Sequence, residues 1–170
     1  MDILHIIEKP DCAHYDVLDA MLPYGVEAPV NDEGEIDEGL YHALIREAAC
    51  TLSKAVTDGN RMRVYRAISV PDDWSPESLG VHWTHDKKRA YPYNGDPENY
   101  VIIEGLVPVD HINIPASLVL NMDLTENEVL LCGHAEIEIV SVTKPDGSAS
   151  HSYLWGTTYQ AGPPEHRPRL

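Results

Sequence analysis

Thr125-Glu126-Asn127-Glu128-Val129-Leu130-Leu131 sets two carboxylates one residue apart, directly before a short apolar run that reads as a strand. Side chains of an extended chain repeat every second residue, so if Glu128 begins the strand, Glu126 lies in the incoming loop or on the same face. Both carboxylates then reach one site. The sequence around this junction has the same texture. Ala135 to Val142 alternates Glu136 and Glu138 with Ile137 and Ile139, which gives one wet face and one dry face. Arg63 to Val70, closed by Pro71-Asp72-Asp73, reads as a strand, as do Val81 to Thr84, Tyr100 to Val109 and, more briefly, His111 to Ile114. Ala116 to Leu120 fits strand or helix, because a short apolar run does not discriminate between them. A short helix is expected from Asp86 to about Tyr91, then a turn at Asn94-Gly95-Asp96-Pro97, an edge strand at Tyr153-Leu154-Trp155 and a loose tail from Ala161.

The first sixty residues read differently. Ile3 to Ile7 is a short apolar run, taken as a strand that Pro10 ends. Cys12, Tyr15, Leu18 and Leu22 then recur at helical steps up to Pro23. The stretch 25–38 crowds Glu27, Asp32, Glu33, Glu35, Asp37 and Glu38 among Gly, Pro and Asn, which describes a solvated loop. From Leu40 to Val56 the helical period returns, with Asp37 placed as N-cap and Asp58-Gly59-Asn60 as the stop. The expected organisation is one α+β domain over 1–170. It comprises a mainly helical leading region (1–60), a mostly antiparallel β-rich core (61–156) and a loose C-terminal tail (157–170).

Composition narrows the function. Twenty-eight acidic residues against 12 Lys plus Arg give a net charge of -16, which argues against an extended basic surface for nucleic acid or anionic lipid. With 43% apolar residues the chain can build a core without staples. Three cysteines without a CxxC pair suit a reducing cytoplasm better than a disulfide framework. The N-terminus lacks a signal-peptide pattern, and no apolar run is long enough for a membrane span. Among nine histidines, His82 with His85 and Cys132 with His134 are the close pairs; neither has zinc-site spacing, so no metal is expected.

Three features follow one another in order: Tyr65-Arg66 on a strand, His82-Trp83-Thr84 ending a short strand, and Glu126-Asn127-Glu128 entering Val-Leu-Leu. This order resembles the mono-ADP-ribosyltransferase family, in the branch marked by an arginine, a Ser-Thr-Ser-like strand and a Glu-x-Glu. The resemblance runs from about Arg63 to Val142. Ala67 stands where the family often has glycine, and His82 and Trp83 stand where it has serine and threonine.

The resemblance implies the ADP-ribosyltransferase fold, with NAD as co-substrate. It also implies transfer of ADP-ribose to a macromolecule, of the kind found in bacterial toxins and phage-encoded modifiers. Bond breakage between ribose and nicotinamide develops positive charge on the ribose, and a carboxylate beside it stabilises the transition state more than the ground state. Glu128 takes that role. Glu126 faces the acceptor, which favours a protein arginine. Arg66 suits the phosphates of NAD. Ala67, His82, Trp83, Thr84 and Tyr91 complete the expected NAD site, with Tyr93 as a further stacking candidate.

Plainer readings stand beside these. Arg66 also fits a structural ion pair, Thr84 ordinary β-propensity, Trp83 a core position, and Tyr91 and Tyr93 packing against the sheet. The charge of -16 also fits an acidic interaction or inhibitor protein that covers a basic partner, including a transferase-like fold without catalysis.

Overall fold

The computed structural model describes residues 1–92, 95–122 and 127–162. Its helices are α1 (Ile3–Glu8), α2 (His14–Met21), α3 (Glu38–Ser53) and α4 (Ile114–Met122), and its strands are β1 (Val56–Thr57), β2 (Arg61–Ile68), β3 (His82–Thr84), β4 (Val101–Pro108), β5 (Glu128–Leu130), β6 (Glu136–Thr143) and β7 (Thr158–Gln160). Three helices precede the sheet, and α4 lies between β4 and β5. The chain is therefore α+β, and the described strand pairs are all antiparallel. The sheet runs β5-β3-β2-β4-β6-β7, with β1 folded back onto the start of β2.

Local chemistry explains most boundaries. Asp37 caps α3 by accepting the Leu40 amide at 3.0 Å, and Tyr41, Ile45, Ala48, Ala49 and Leu52 form its buried stripe. β4 alternates without fault: Val101, Ile103, Gly105 and Val107 are buried, and the residues between them half-buried. The helix stripe and the dry face of the sheet join one apolar core. Tyr41 is fully buried in it with its hydroxyl on the His14 carbonyl (2.8 Å), and burial pushes that phenol up to about 12.

Several expectations are corrected. Ile3 to Ile7 is helical: Asp2 accepts the Leu4 amide and starts α1, which buries Ile3 and Ile6 one turn apart. The long helix ends at Ser53, and Val56–Thr57 becomes β1 by pairing with Arg61 and Met62 through a turn at Gly59 and Asn60, both left-handed. His111 to Ile114 is no continuous strand: His111 ends a 3-10 turn (Val109–His111), Ile112 makes an isolated antiparallel bridge with Leu131, and Ile114 begins α4, which settles Ala116 to Leu120 as helix. The helix expected at Asp86 to Tyr91 is one 3-10 turn, Lys87–Arg89. Tyr153 to Trp155 is not a strand: Ser152–Leu154 is a 3-10 turn, and the edge strand is Thr158–Gln160, inside the stretch read as a loose tail. β7 pairs with β6 at Glu136, Ile137 and Glu138. Among the described residues no helix is long and apolar enough to cross a membrane.

Candidate functional site

Register brings the three sequence motifs onto adjacent strands. β5 lies against β3 with Glu128 opposite Thr84, and β3 lies against β2 with Thr84 opposite Tyr65. Directly opposed residues of an antiparallel pair point to one face. Glu128, Thr84 and Tyr65 therefore form one row, which continues to Glu104 and Ser141. His82, two residues before Thr84, shares that face, and its Nδ1 meets Oε1 of Glu128. A carboxylate can only accept, so Nδ1 carries the proton and the imidazole fixes the direction of the carboxylate. The two side chains keep 27% and 20% of their surface, so a ligand can still reach the pair.

Glu128 is held from both sides. Asn127, immediately before it, adopts φ +48, a left-handed conformation that asparagine tolerates better than most residues. Its carbonyl accepts from Thr84 Oγ1 (2.9 Å) and from the His85 amide (3.1 Å), so the second motif clamps the third. On the other edge of β5, α4 supplies two polar side chains one turn apart. Ser117 Oγ accepts the Leu130 amide at 3.0 Å, and Asn121 Nδ2 donates to the Glu128 carbonyl at 2.6 Å. Both are buried. They satisfy backbone groups that a sheet edge would leave to water. Sequence reading passed over Ser117 and Asn121; the available signal was two polar residues four apart in an otherwise apolar helix.

Beside this row lies an open depression of about 570 Å³ lined by Tyr65, His85, Asp86, Lys87, Lys88 and Asn127. Tyr65 belongs to the first motif, although the sequence assigned it no site role, and His85 directly follows the second. The 3-10 turn carries Lys87, Lys88 and Arg89 in succession, and Asp86 caps it by accepting the Lys88 amide at 3.0 Å. Neither Lys87 nor Lys88 forms an ion pair with the described residues. Elsewhere on the same face Arg63 pairs with Glu104 and Arg61 with Glu138.

The remaining expected site residues are spread more widely. Ala67 is two residues beyond Tyr65 and shares its face. Arg66 has the opposite alternation: it pairs with the buried Ile103, and its Nη1 donates to the Leu79 carbonyl at 2.8 Å. The guanidinium lies against Gly80, where an added Cβ would come within 1.8 Å of Nη1. Trp83 is 3% exposed and donates its indole N–H to the Gly80 carbonyl at 2.9 Å, which is the core position rather than a pocket wall. Tyr91 is exposed, packs edge-on against Tyr100 and does not line the depression. Glu126 and Tyr93 lie outside the described residues. Among the described residues no three His, Cys, Asp or Glu side chains converge as metal ligands.

No protein-family model, no curated protein and no solved structure matches this chain.

Proposed function

We propose that this protein is a mono-ADP-ribosyltransferase that moves ADP-ribose from NAD to a macromolecular target, with protein arginine favoured as acceptor. The observation that carries this reading is the cross-strand row Glu128-Thr84-Tyr65 with His82 bound to the Glu128 carboxylate. A fixed, partly covered carboxylate is what the bond-breaking step requires, since the charge it stabilises exists fully only in the transition state. His82 takes the orienting task that the serine of the family pattern would have. Thr84 acts one step back, through the Asn127 carbonyl.

The depression supports the same reading. Its volume of about 570 Å³ lies within the range of small-molecule sites. Tyr65 offers an aromatic face, and Lys87 and Lys88 offer cations for a pyrophosphate in a chain of net charge -16. On this reading the lysines, rather than Arg66, meet the phosphates, and Arg66 anchors the Leu79-Gly80 turn. The acidic surface fits a basic protein target in a cytoplasmic setting better than nucleic acid.

Glu128→Gln keeps the shape and removes the charge. Nicotinamide release from NAD should fall on the order of 10²- to 10³-fold with NAD affinity nearly unchanged. An unaffected rate would sink the assignment. NAD binding without any cleavage by the wild-type chain would instead favour a transferase-like fold that only binds.

A further inference from the structure

The side-chain amide of Asn121 has only one workable orientation. Its Nδ2 lies 2.7 Å from the Ser117 carbonyl oxygen and 2.6 Å from the Glu128 carbonyl oxygen, and both of these groups can only accept. The nitrogen end must face them, because the oxygen end there would set lone pair against lone pair. Oδ1 is thereby turned to Nε2 of His85, 2.8 Å away. An amide oxygen also only accepts, so His85 Nε2 carries a proton. In a neutral imidazole the other nitrogen is then bare. Nδ1 has no partner among the described residues, while the ring lines the open depression beside Tyr65 and Asn127.

We infer that His85 is the proton acceptor of the transfer step, with Asn121 as the positioning residue that holds it in the Nε2–H tautomer and presents Nδ1 to an acceptor in the depression. This rests on the transferase reading. As the acceptor's N or O forms its bond to the anomeric carbon of the ribose, the bond from that carbon to the nicotinamide ring nitrogen breaks. The electron pair of that bond returns to the ring, which leaves as neutral nicotinamide. The acceptor's proton passes to His85 Nδ1 and is later lost to solvent through the open side of the depression. The positive charge that began on the nicotinamide ring thus leaves as a proton. Asn121 touches both partners of this scheme, the backbone of Glu128 and the ring of His85, so one buried amide sets the carboxylate and the base relative to each other.

The test uses NAD with water as the acceptor, alongside imidazole nitrogen NMR of the full chain. His85→Ala should lower NAD hydrolysis by about 10²-fold, the low end for a general base, with NAD affinity within about twofold. Added imidazole should restore part of that rate, which a merely structural role would not allow. In the wild-type spectrum His85 should be the Nε2–H tautomer, and in Asn121→Ala it should become a mixture. Hydrolysis unchanged in His85→Ala, a loss that imidazole does not rescue in a folded variant, or an Nδ1–H tautomer in the wild type would each overturn the inference. The two failures separate cleanly. A wild-type chain that never cleaves NAD ends the transferase reading, whereas cleavage lost in Glu128→Gln but kept in His85→Ala ends only the role of His85.

Discussion

Ser117→Ala tests whether α4 really completes the edge of β5. The hydroxyl has two bonds to Leu130, accepting its amide at 3.0 Å and donating to its carbonyl at 3.4 Å. The carbonyl keeps a better donor after the change, the Asn113 amide at 2.9 Å. The Leu130 amide keeps none, because pairing with β3 is made on the other side of the strand, where the Leu131 amide meets the Val81 carbonyl. One orphaned backbone donor costs about 1–3 kcal/mol, and Leu130 is only half-buried, so the lower part of that range applies. Alanine returns a few tenths of a kcal/mol as the better helix former. The expected loss is about 1–2 kcal/mol, or about 2–8 °C in melting temperature for a domain of this size. Urea denaturation measures it, and hydrogen exchange locates it at the Leu130 amide. Thr51→Ala is the control, since that hydroxyl bonds only the Glu47 carbonyl on an exposed face of α3. A stability loss no larger than the control's, with Leu130 still protected, would refute the edge-capping account.

Gly80→Ala puts a methyl 1.8 Å from Arg66 Nη1 at a residue with φ +76. The left-handed backbone costs about 1–2 kcal/mol, and loss of the Arg66 bond to Leu79 adds about the same. Urea curves of the double variant Gly80→Ala/Arg66→Ala should show less than the summed loss, whereas strict additivity would deny the contact. Asn127→Ala should cost about 1–2 kcal/mol and Asn127→Gly almost nothing, because the φ of +48 is the strained quantity there; equal losses in thermal denaturation would contradict this. Tyr41 predicts an alkaline limb. Its phenol rises from 10.0 to about 12 on folding, so between those values the unfolded chain loses the proton first. Stability is intact below pH 10 and falls as pH rises toward 12, and the fall should be shallower in Tyr41→Phe when urea midpoints are followed over that window.

Long periodic segments were legible, short ones less so. α3 announced itself through Asp37 and an apolar period kept along its sixteen residues, and β4 through a run rich in β-branched residues, Val101-Ile102-Ile103. Ile3 to Ile7 misled because five mostly apolar residues carry no period; the deciding signal was Asp2, whose side chain accepts the Leu4 amide. α4 was legible in principle. Asn113-Ile114-Pro115-Ala116 has a capping residue, whose Oδ1 accepts the Ala116 amide at 3.2 Å, and then proline in the first turn. The apolar run beyond it left strand and helix both open. β7 had little to show: three residues become a strand only because β6 offers them an edge.

The site was legible as an order of motifs but not as a mechanism of support, and the reason is geometric. Sequence order placed Tyr65, Thr84 and Glu128 in successive motifs, and pairing of β2 with β3 and β3 with β5 turned that order into a row. What holds Glu128 in the row comes from backbone atoms and from residues without motif status. The Asn127 carbonyl takes Thr84 Oγ1 because its backbone is left-handed, and the Glu128 carbonyl takes Asn121 because α4 lies along the strand edge. Residue types hint at each, an asparagine at 127 and two polar residues four apart in α4, but neither hint names the partner it serves. The same argument explains why Arg66 and Thr84 diverge although both lie in motif strands: alternation gives Tyr65 and Arg66 to opposite faces, so a dipeptide read as one unit supplies one wall of the depression and one anchor beneath the Leu79-Gly80 turn. A motif fixes which strand a residue is on, whereas the register of the neighbouring strand decides whether it meets the ligand.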